Sequence, residues 1–364
     1  MKAPFALAFH RPAALAAALV SVALAPALAR ADDTPAPSRV LPGGYVNNAF
    51  GLGDQSLVLV NRSSGANYGR STLGLPLGRD GVRAGASISR LDYGYSIDTG
   101  RFAGRATIFG ADLAWPLLQS PQGRFTATAG TEVKQFANLA GESSVDRHSI
   151  RLATLNLSGD FSDDLLGGGR LRFSLKHALG QLDLGNLNDR AADHAAGGPK
   201  REGGFQRSNG SVSRLQRLSA ADTLTLTAAG QFASRNLDGA EKFAATGPNG
   251  VRAYAPWEPA ADNAALLALE LRHQFGDLFS GSLFHDRAQL RRDRDINAMT
   301  PTANSYRLAG SGLGLSMGKP SDMLVRLTGA WRHGENPARD PVTGFDADGR
   351  HNRPHIFVTL LRTF

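Results

Sequence analysis

The 364-residue chain has no cysteine, and no acidic residue precedes Asp32. The first absence excludes disulfide bonds, thiolate metal sites and cysteine nucleophiles. The second gives a basic N-terminus, in which Lys2 and Arg11 precede a run rich in Ala, Leu and Val. A basic start, a short apolar core and the small-x-small triplet 29–31 indicate a secretory signal peptide over residues 1–31, with a membrane anchor helix as the alternative.

Beyond residue 31 the sequence lacks an apolar run long enough to span a bilayer as a helix, which takes about 17–25 residues. An exported chain of this kind either is soluble or crosses a membrane as strands. The formal net charge is +8, and removing Lys2, Arg11 and Arg30 with the signal segment leaves +5 (8 − 3). Because the remaining arginines are scattered singly along strand-like segments, we expect no nucleic-acid partner.

Apolar and polar side chains alternate along most of the chain. Leu171, Phe173 and Leu175 are separated by polar residues, and Leu269 and Leu271 are separated by Glu270. A period of two places one set of side chains on each face of a sheet. Several segments reach about ten residues, the length with which a tilted strand crosses a membrane. The pattern predicts an all-β fold, a transmembrane antiparallel β-barrel in the bacterial outer membrane.

Fourteen strands are predicted, and we expect a barrel of about 14–16 strands. The fourteen lie near 55–64, 68–78, 81–95, 101–117, 123–136, 146–161, 168–182, 206–218, 222–234, 264–275, 279–289, 304–318, 322–334 and 354–364. Their connections alternate between short turns, such as 276–278, and long loops, such as 235–263. This alternation is typical of the periplasmic and extracellular ends of an outer-membrane barrel. The barrel is expected over residues 48–364, after a short periplasmic segment or strand stub at 32–47.

The last predicted strand carries an outer-membrane sorting pattern. Four of its residues share one face and end in a terminal aromatic: Ile356, Val358, Leu360 and Phe364. We expect this face to meet outer-membrane lipid, and the strand to be recognised by barrel-assembly machinery.

Aromatic side chains lie near the ends of several predicted strands. They are Tyr93, Tyr95, Trp115, Phe136, Trp331 and Phe364. Because membrane barrels carry aromatic girdles at both interfaces, we expect these six to lie there.

Four stretches carry more specific motifs. They are 48–55 (NAFGLGDQ), 231–243 (QFASRNLDGAEKF), 247–254 (GPNGVRAY) and 284–286 (FHD). Together they resemble the barrel of the haemolysin secretion/activation outer-membrane proteins, the transporters of two-partner secretion. The third stretch is similar to the G-P-x-G-V-R-G-Y motif of the family's long sixth loop, and the fourth to the start of its F-x-D-x-G strand motif.

The resemblance implies a set of site residues. In that family the sixth loop folds back into the barrel lumen, and its arginine pairs with the aspartate of the F-x-D strand, which here are Arg252 and Asp286. A guanidinium group offers a planar fork that holds a carboxylate bidentately. The other implied residues are the loop-tip residues Gly250, Val251 and Tyr254 and the candidate second partners Glu270 and Arg272. The alternative is that Val-Arg-x-Tyr is a surface tetrapeptide and the aspartate a solvated strand end.

The resemblance also implies a function. It is a pore that exports an unfolded exoprotein client, with no cofactor and no metal. The alternative is a barrel-only diffusion pore or surface scaffold, which is favoured by the lack, before residue 48, of the family's plug helix and periplasmic domains. Alanine replaces the glycines of the family motifs at four positions: Ala253, Ala261, Ala264 and Ala288.

No combination of residues in the sequence indicates an enzyme. The nine histidines are dispersed without the spacing of metal ligands. The loop 183–205 holds Asp189, Asp193, His194 and Glu202, which could bind a cation, but a solvated, mobile loop is the favoured interpretation.

Overall fold

A computed structural model describes most of the chain from Ser38 onward. The described residues are 38–41, 45–51, 56–62, 66–97, 100–140, 143–256, 258–319, 323–340, 343–348, 351 and 354–362. The predicted signal peptide over 1–31 and the terminal Phe364 lie outside them and stay predictions.

Within the described residues, sixteen antiparallel strands form a single sheet, in which each strand pairs with its neighbours in the sequence. They are β1 (Ser38–Leu41), β2 (Tyr45–Gly51), β3 (Ser56–Arg62), β4 (Ala66–Leu77), β5 (Val82–Ile97), β6 (Gly100–Ser120), β7 (Gly123–Ala140), β8 (Ser143–Asp163), β9 (Gly169–Leu184), β10 (Gly203–Arg217), β11 (Asp222–Ala233), β12 (Asn263–Phe275), β13 (Phe279–Arg291), β14 (Ser305–Gly318), β15 (Met323–Arg332) and β16 (His355–Arg362). The sheet closes into a barrel where β1 pairs with β16, with Ser38 opposite Arg362. The predicted antiparallel barrel is confirmed.

The fourteen predicted strands correspond to β3–β16, and the first hairpin was missed. The strands β1 and β2 are only 4 and 7 residues long. A strand that crosses a membrane takes about ten residues, and segments this short are too brief to show the alternation of such a strand. Strands therefore begin ten residues before Asn48, where the sequence suggested that the barrel starts.

Alternation along the strands separates an apolar outer surface from the lumen. Leu267, Leu283 and Leu313 point outward and are 49%, 57% and 50% exposed in the isolated chain, as lipid-facing residues are. On the opposite face of β13, Asp286 and Leu290 are buried inside the barrel.

Two of the six predicted girdle aromatics face the lumen instead, and the side chains of Tyr95 and Phe364 lie outside the described part of the structure. Tyr93 and Phe136 are buried, whereas Trp115 and Trp331 are exposed on the outside. The cause is the parity of the strand, because Phe136 shares its face with Lys134 and Asn138, both buried. For these two residues the girdle prediction is wrong.

Four long connections lie at the predicted extracellular end. We call them loop 5 (185–202), loop 6 (234–262), loop 7 (292–304) and loop 8 (333–354). Loop 5 contains the only α-helix of the described residues, α1 (Leu187–His194), which begins after the capping residue Asn186. Among these residues no helix is long and apolar enough to cross a membrane.

Loop 5 is more ordered than the sequence suggests. The carboxylate of Asp193 is buried and accepts hydrogen bonds from the backbone N–H groups of Arg201 and Glu202, at 3.1 and 3.0 Å. This acid therefore stabilises a turn, and the interpretation of a wholly solvated loop is wrong for it. Within the described part of the chain, no group of three or more acidic or histidine side chains could hold a metal ion.

Candidate functional site: loop 6 and its two anchors

Loop 6 folds into the lumen as a small hairpin. The backbone N–H of Phe243 donates to Ala261 at 2.7 Å, and the reverse bond is 3.0 Å long. At the tip, Val251 N–H donates to the carbonyl of Ala245 at 2.8 Å. A Cβ atom on Gly250 would lie 2.3 Å from that same carbonyl oxygen, so the predicted tip residue must be glycine.

Two apolar clusters hold the loop between the two halves of the barrel wall. Leu237, near the start of the loop, packs in a cluster with inward-facing residues of β4–β11. Val251, Ala253 and Tyr254, at the tip, pack in a second cluster with residues of β12–β15. All four side chains are almost completely buried. Because burying one large apolar side chain stabilises by roughly 1.5–3 kcal/mol, this packing alone favours a loop that occupies the lumen.

The first anchor joins Arg252 of the loop to the wall. Its Nε and Nη2 atoms donate to the two carboxylate oxygens of Asp286 on β13, both at 2.8 Å. The backbone N–H of Arg252 donates to the same carboxylate at 3.0 Å. The structure thus brings together the two residues that the family resemblance paired, in a bidentate geometry.

The wall supplies more than one partner to this arginine. Nη1 of Arg252 donates to Glu270 of β12 at 2.6 Å, and the guanidinium lies 3.5 Å from the centre of the Phe284 ring. Arg272 donates to Glu270 at 2.7 Å, and among the described residues no hydrogen bond or ion pair joins it to the loop. Of the two candidate second partners, Glu270 therefore binds the loop directly and Arg272 binds Glu270.

A second anchor, of opposite polarity, holds the other half of the loop. Glu241 is fully buried, and its Oε1 lies 2.7 Å from Nζ of Lys134 on β7. Its Oε2 lies 2.8 Å from Nη2 of Arg207 on β10. Here the loop contributes the anion and the wall the cations, whereas at the first anchor the loop contributes the cation.

Sequence reasoning missed this second anchor. Glu241 lies within the stretch 231–243 that resembles the family, but the resemblance implies no partner for it. Strand parity was the available signal, because alternation places Lys134 and Arg207 on the lumen faces of β7 and β10. A charged side chain facing the lumen needs an opposite charge or water, and the loop is the element that fills this space.

The base of loop 6 is fixed to loop 7. Asp262 is completely buried and accepts hydrogen bonds from the backbone N–H groups of Leu237 and Arg294, at 3.1 and 2.8 Å. Nζ of Lys242 lies 3.2 Å from the same carboxylate. The hairpin is thus closed at its base as well as anchored along its length.

The alanine at position 253 has a structural counterpart in β14. A Cβ atom added to Gly310 would lie 2.3 Å from the Cβ of Ala253. The family's glycine at the tip is thus replaced by an alanine that packs against a glycine on the wall. The wall accommodates the methyl group of Ala253 because Gly310 has no side chain at this point.

This contact predicts a compensating pair of substitutions. Gly310→Ala should displace the loop tip, since forcing one methyl group into a packed core costs about 1–3 kcal/mol. The double variant with Ala253→Gly should recover most of the loss. The measure is the rate at which maleimide labels a single cysteine placed at Ala255, which is buried in a chain without native cysteine. Equal labelling rates for Gly310→Ala and for the double variant would contradict the contact.

Loop 6 also contacts loop 8 through a buried acid. An oxygen of Glu258 accepts the backbone N–H of Ala347 at 3.2 Å, and the side chain of Asn336 also donates to it. Burial raises the pKa of Glu258 above its ordinary value of 4.5, although these two hydrogen bonds act in the opposite direction. The docked form therefore binds a proton more tightly than the solvated form.

Docking of loop 8 on loop 6 should consequently weaken as pH rises. The effect begins above about pH 4.5, where a solvated glutamate is ionised but the docked one still holds its proton. Hydrogen exchange at 345–347, corrected for the intrinsic effect of pH, should show protection that falls with pH in the wild type. Glu258→Gln cannot ionise and should show nearly constant protection. The same pH dependence in both proteins would refute the role of Glu258.

The described residues of the last strand face the directions that the alternation predicts. Ile356 and Val358 are exposed on the outer surface, Leu360 is partly exposed, and the intervening Phe357 is buried. Recognition of this strand by assembly machinery stays a prediction.

Comparison with known proteins identifies the fold and the site together. Residues 45–317 match the family described as haemolysin secretion/activation protein ShlB/FhaC/HecB. This match covers three quarters of the chain, including loop 6 and both of its anchors. The chain belongs to this family. As in the family, the lumen loop follows the eleventh strand, β11, once the short strands β1 and β2 are included.

Curated relatives of this chain come from Haemophilus influenzae. The heme/hemopexin transporter protein HuxB of strain 86-028NP is 24% identical over 300 residues, covering 80% of this chain and 52% of the relative. A second HuxB sequence is 24% identical over 336 residues, covering 90% and 57%. The chain therefore spans about half the length of the curated relatives it matches.

Solved structures share the fold. CdiB from Escherichia coli superimposes with a TM-score of 0.70 at 16% identity, over 92% of this chain and 64% of that one. BamA from Haemophilus ducreyi lacking POTRA domains 1–3 gives a TM-score of 0.58 at 14% identity, over 90% and 69%. Family and fold place this barrel in the bacterial outer membrane.

Proposed function

We propose that this barrel is a two-partner-secretion pore that exports an unfolded exoprotein across the outer membrane. Membership of the haemolysin secretion/activation family supports the class of function. The observation that carries the proposal is a lumen loop held by ion pairs to opposite halves of the wall, through Arg252 and Glu241. No nucleotide, metal or cofactor is part of the proposal, and folding of the client outside the cell gives the direction of transport.

In this proposal loop 6 blocks the resting pore and must shift for the client to pass. Breaking a buried ion pair costs about 3–5 kcal/mol when one partner is left unpaired. That cost falls when water or polar groups of the client replace the lost partner. Charged anchors therefore suit a plug that is firm at rest and exchangeable when an extended polypeptide enters.

Three kinds of partner follow from the proposal. The outer face meets outer-membrane lipid, barrel-assembly machinery inserts the chain, and a secreted exoprotein is the client. Deleting the gene in its host should remove one large exoprotein from the medium, detected by mass spectrometry. The wild-type gene and Arg272→Ala should both restore it. An unchanged medium together with reduced uptake of small solutes would refute secretion and indicate a diffusion pore.

A further inference from the structure

Three arginines project from the outer surface of the barrel near its extracellular end. Arg287 and Arg291 lie on β13 and Arg307 on β14, and all three alternate with buried residues. Arg307 stands directly opposite Gln289, between the other two arginines along the strand. Diagonal neighbours across strands lie about 7–8 Å apart, within reach of long side chains, so the three guanidinium groups can converge on one ligand.

These arginines differ from three that face the lumen. Arg207, Arg272 and Arg332 each lie within 2.8 Å of a carboxylate. Within the described part of the chain, Arg287, Arg291 and Arg307 have no ion pair or side-chain hydrogen bond. The protein thus neutralises those three inner arginines itself, whereas this outer group has no protein partner among the described residues.

The position of the group in the membrane explains why a partner is needed. Arg287 stands opposite the lipid-facing Leu267. Eight residues separate it from Phe279, which is exposed at the periplasmic end of β13. A strand tilted by about 40° rises roughly 20 Å over that distance, close to the full apolar height of about 25 Å. Arg287 therefore lies near the outer interface, at the depth of lipid headgroups.

An apolar groove runs beside the arginines on the same surface. Its volume is about 630 Å³, and Arg287 and Gln289 form one edge. Small residues make the depression, chiefly Gly210, Ala228 and Ala265, which lie between larger apolar side chains such as Leu175, Val212 and Leu267. A groove of this kind accommodates a hydrocarbon chain, and its cationic edge complements a phosphate group.

We infer that this surface is a binding site for a phosphorylated lipid of the outer leaflet. The lipid phosphate binds the arginines at positions 287, 291 and 307, and an acyl chain lies in the groove. Guanidinium groups bind phosphate through charge-assisted, often bidentate hydrogen bonds, and basic clusters at a membrane surface select anionic lipids. The inference rests on the barrel and its outer surface and is independent of the proposed secretion activity.

The test is native mass spectrometry of the full chain in detergent, titrated with lipid A. We expect the triple variant Arg287→Gln/Arg291→Gln/Arg307→Gln to bind lipid A on the order of 100-fold more weakly, since each basic residue near an anionic lipid surface contributes roughly a factor of five. The matched control is Arg79→Gln/Arg217→Gln/Lys319→Gln, which removes the same charge at the periplasmic turns. It should bind as the wild type does.

Two further experiments use only the wild-type protein. Wild-type protein should bind lipid A without its phosphates much more weakly than intact lipid A. Inorganic phosphate at millimolar concentration should displace little lipid, because it cannot occupy the groove. Equal binding of intact and dephosphorylated lipid A, or full displacement by inorganic phosphate, would overturn the inference. Equal binding by the triple variant and the wild type would do so as well.

Discussion

Arg252→Ala is expected to release the tip of loop 6 from the barrel wall. The substitution leaves Asp286 and Glu270 without the cation that both now bind. Removing one member of a buried pair costs about 3–5 kcal/mol, which corresponds to a change on the order of 100-fold or more in the docking equilibrium. Maleimide labelling of the cysteine placed at Ala255 should accelerate by about that factor.

Two further variants give this experiment its controls. Arg272→Ala removes a guanidinium from the same glutamate but leaves the loop contacts in place, so labelling should change by only a few fold. Arg252→Lys keeps the charge and loses the planar fork, and should give an intermediate rate. Similar labelling of the wild type and Arg252→Ala would mean that the arginine does not hold the tip.

Glu241→Lys is expected to release the other half of the loop. It places a third cation beside Lys134 and Arg207, in a cluster that also contains Glu132 and Lys176. The formal charge of these five residues rises from +1 to +3. Because like charges at this distance repel strongly when buried, the effect should equal or exceed that of Arg252→Ala. The reporter is a single cysteine at Leu237, which is buried in loop 6 four residues before Glu241.

The exchange of charges provides the decisive control. Lys134→Glu alone changes the formal charge of the cluster to −1 and should also release the loop. The double variant Glu241→Lys/Lys134→Glu restores +1 and an ion pair between loop and wall. Labelling of Leu237→Cys should then return most of the way to the wild-type rate. If the two substitutions instead increased the labelling rate additively in the double variant, the two residues would not act as a pair.

The sequence predicts the barrel well because its signal is periodic and repeated. Alternation in β3–β16 recurs fourteen times, and every short turn falls where a strand pair must reverse. The strands β1 and β2 lack this signal because they are too short to show a period. Tyr93 and Phe136 were placed wrongly because aromatic character indicates an interface, whereas the parity of the strand decides which side of the sheet a residue faces.

The candidate site was predictable only in part. Arg252 and Asp286 could be paired because each lies in a motif that resembles the family's. The second anchor joins residues 107 positions apart, Lys134 and Glu241, and no local pattern links them. The contact between Ala253 and Gly310 is of the same kind, since it depends on how the loop settles in the lumen. Contacts across the lumen require the register of the closed barrel.

In our proposal, loop 6 is held by Arg252 and closes the pore. Single-channel conductance in planar bilayers tests it most directly, with the wild type measured beside Arg252→Ala and Arg272→Ala. We expect small, flickering currents in the wild type and in Arg272→Ala, and larger, steadier currents in Arg252→Ala. A wide, steady pore in all three proteins would contradict it, because the loop would then not obstruct the lumen.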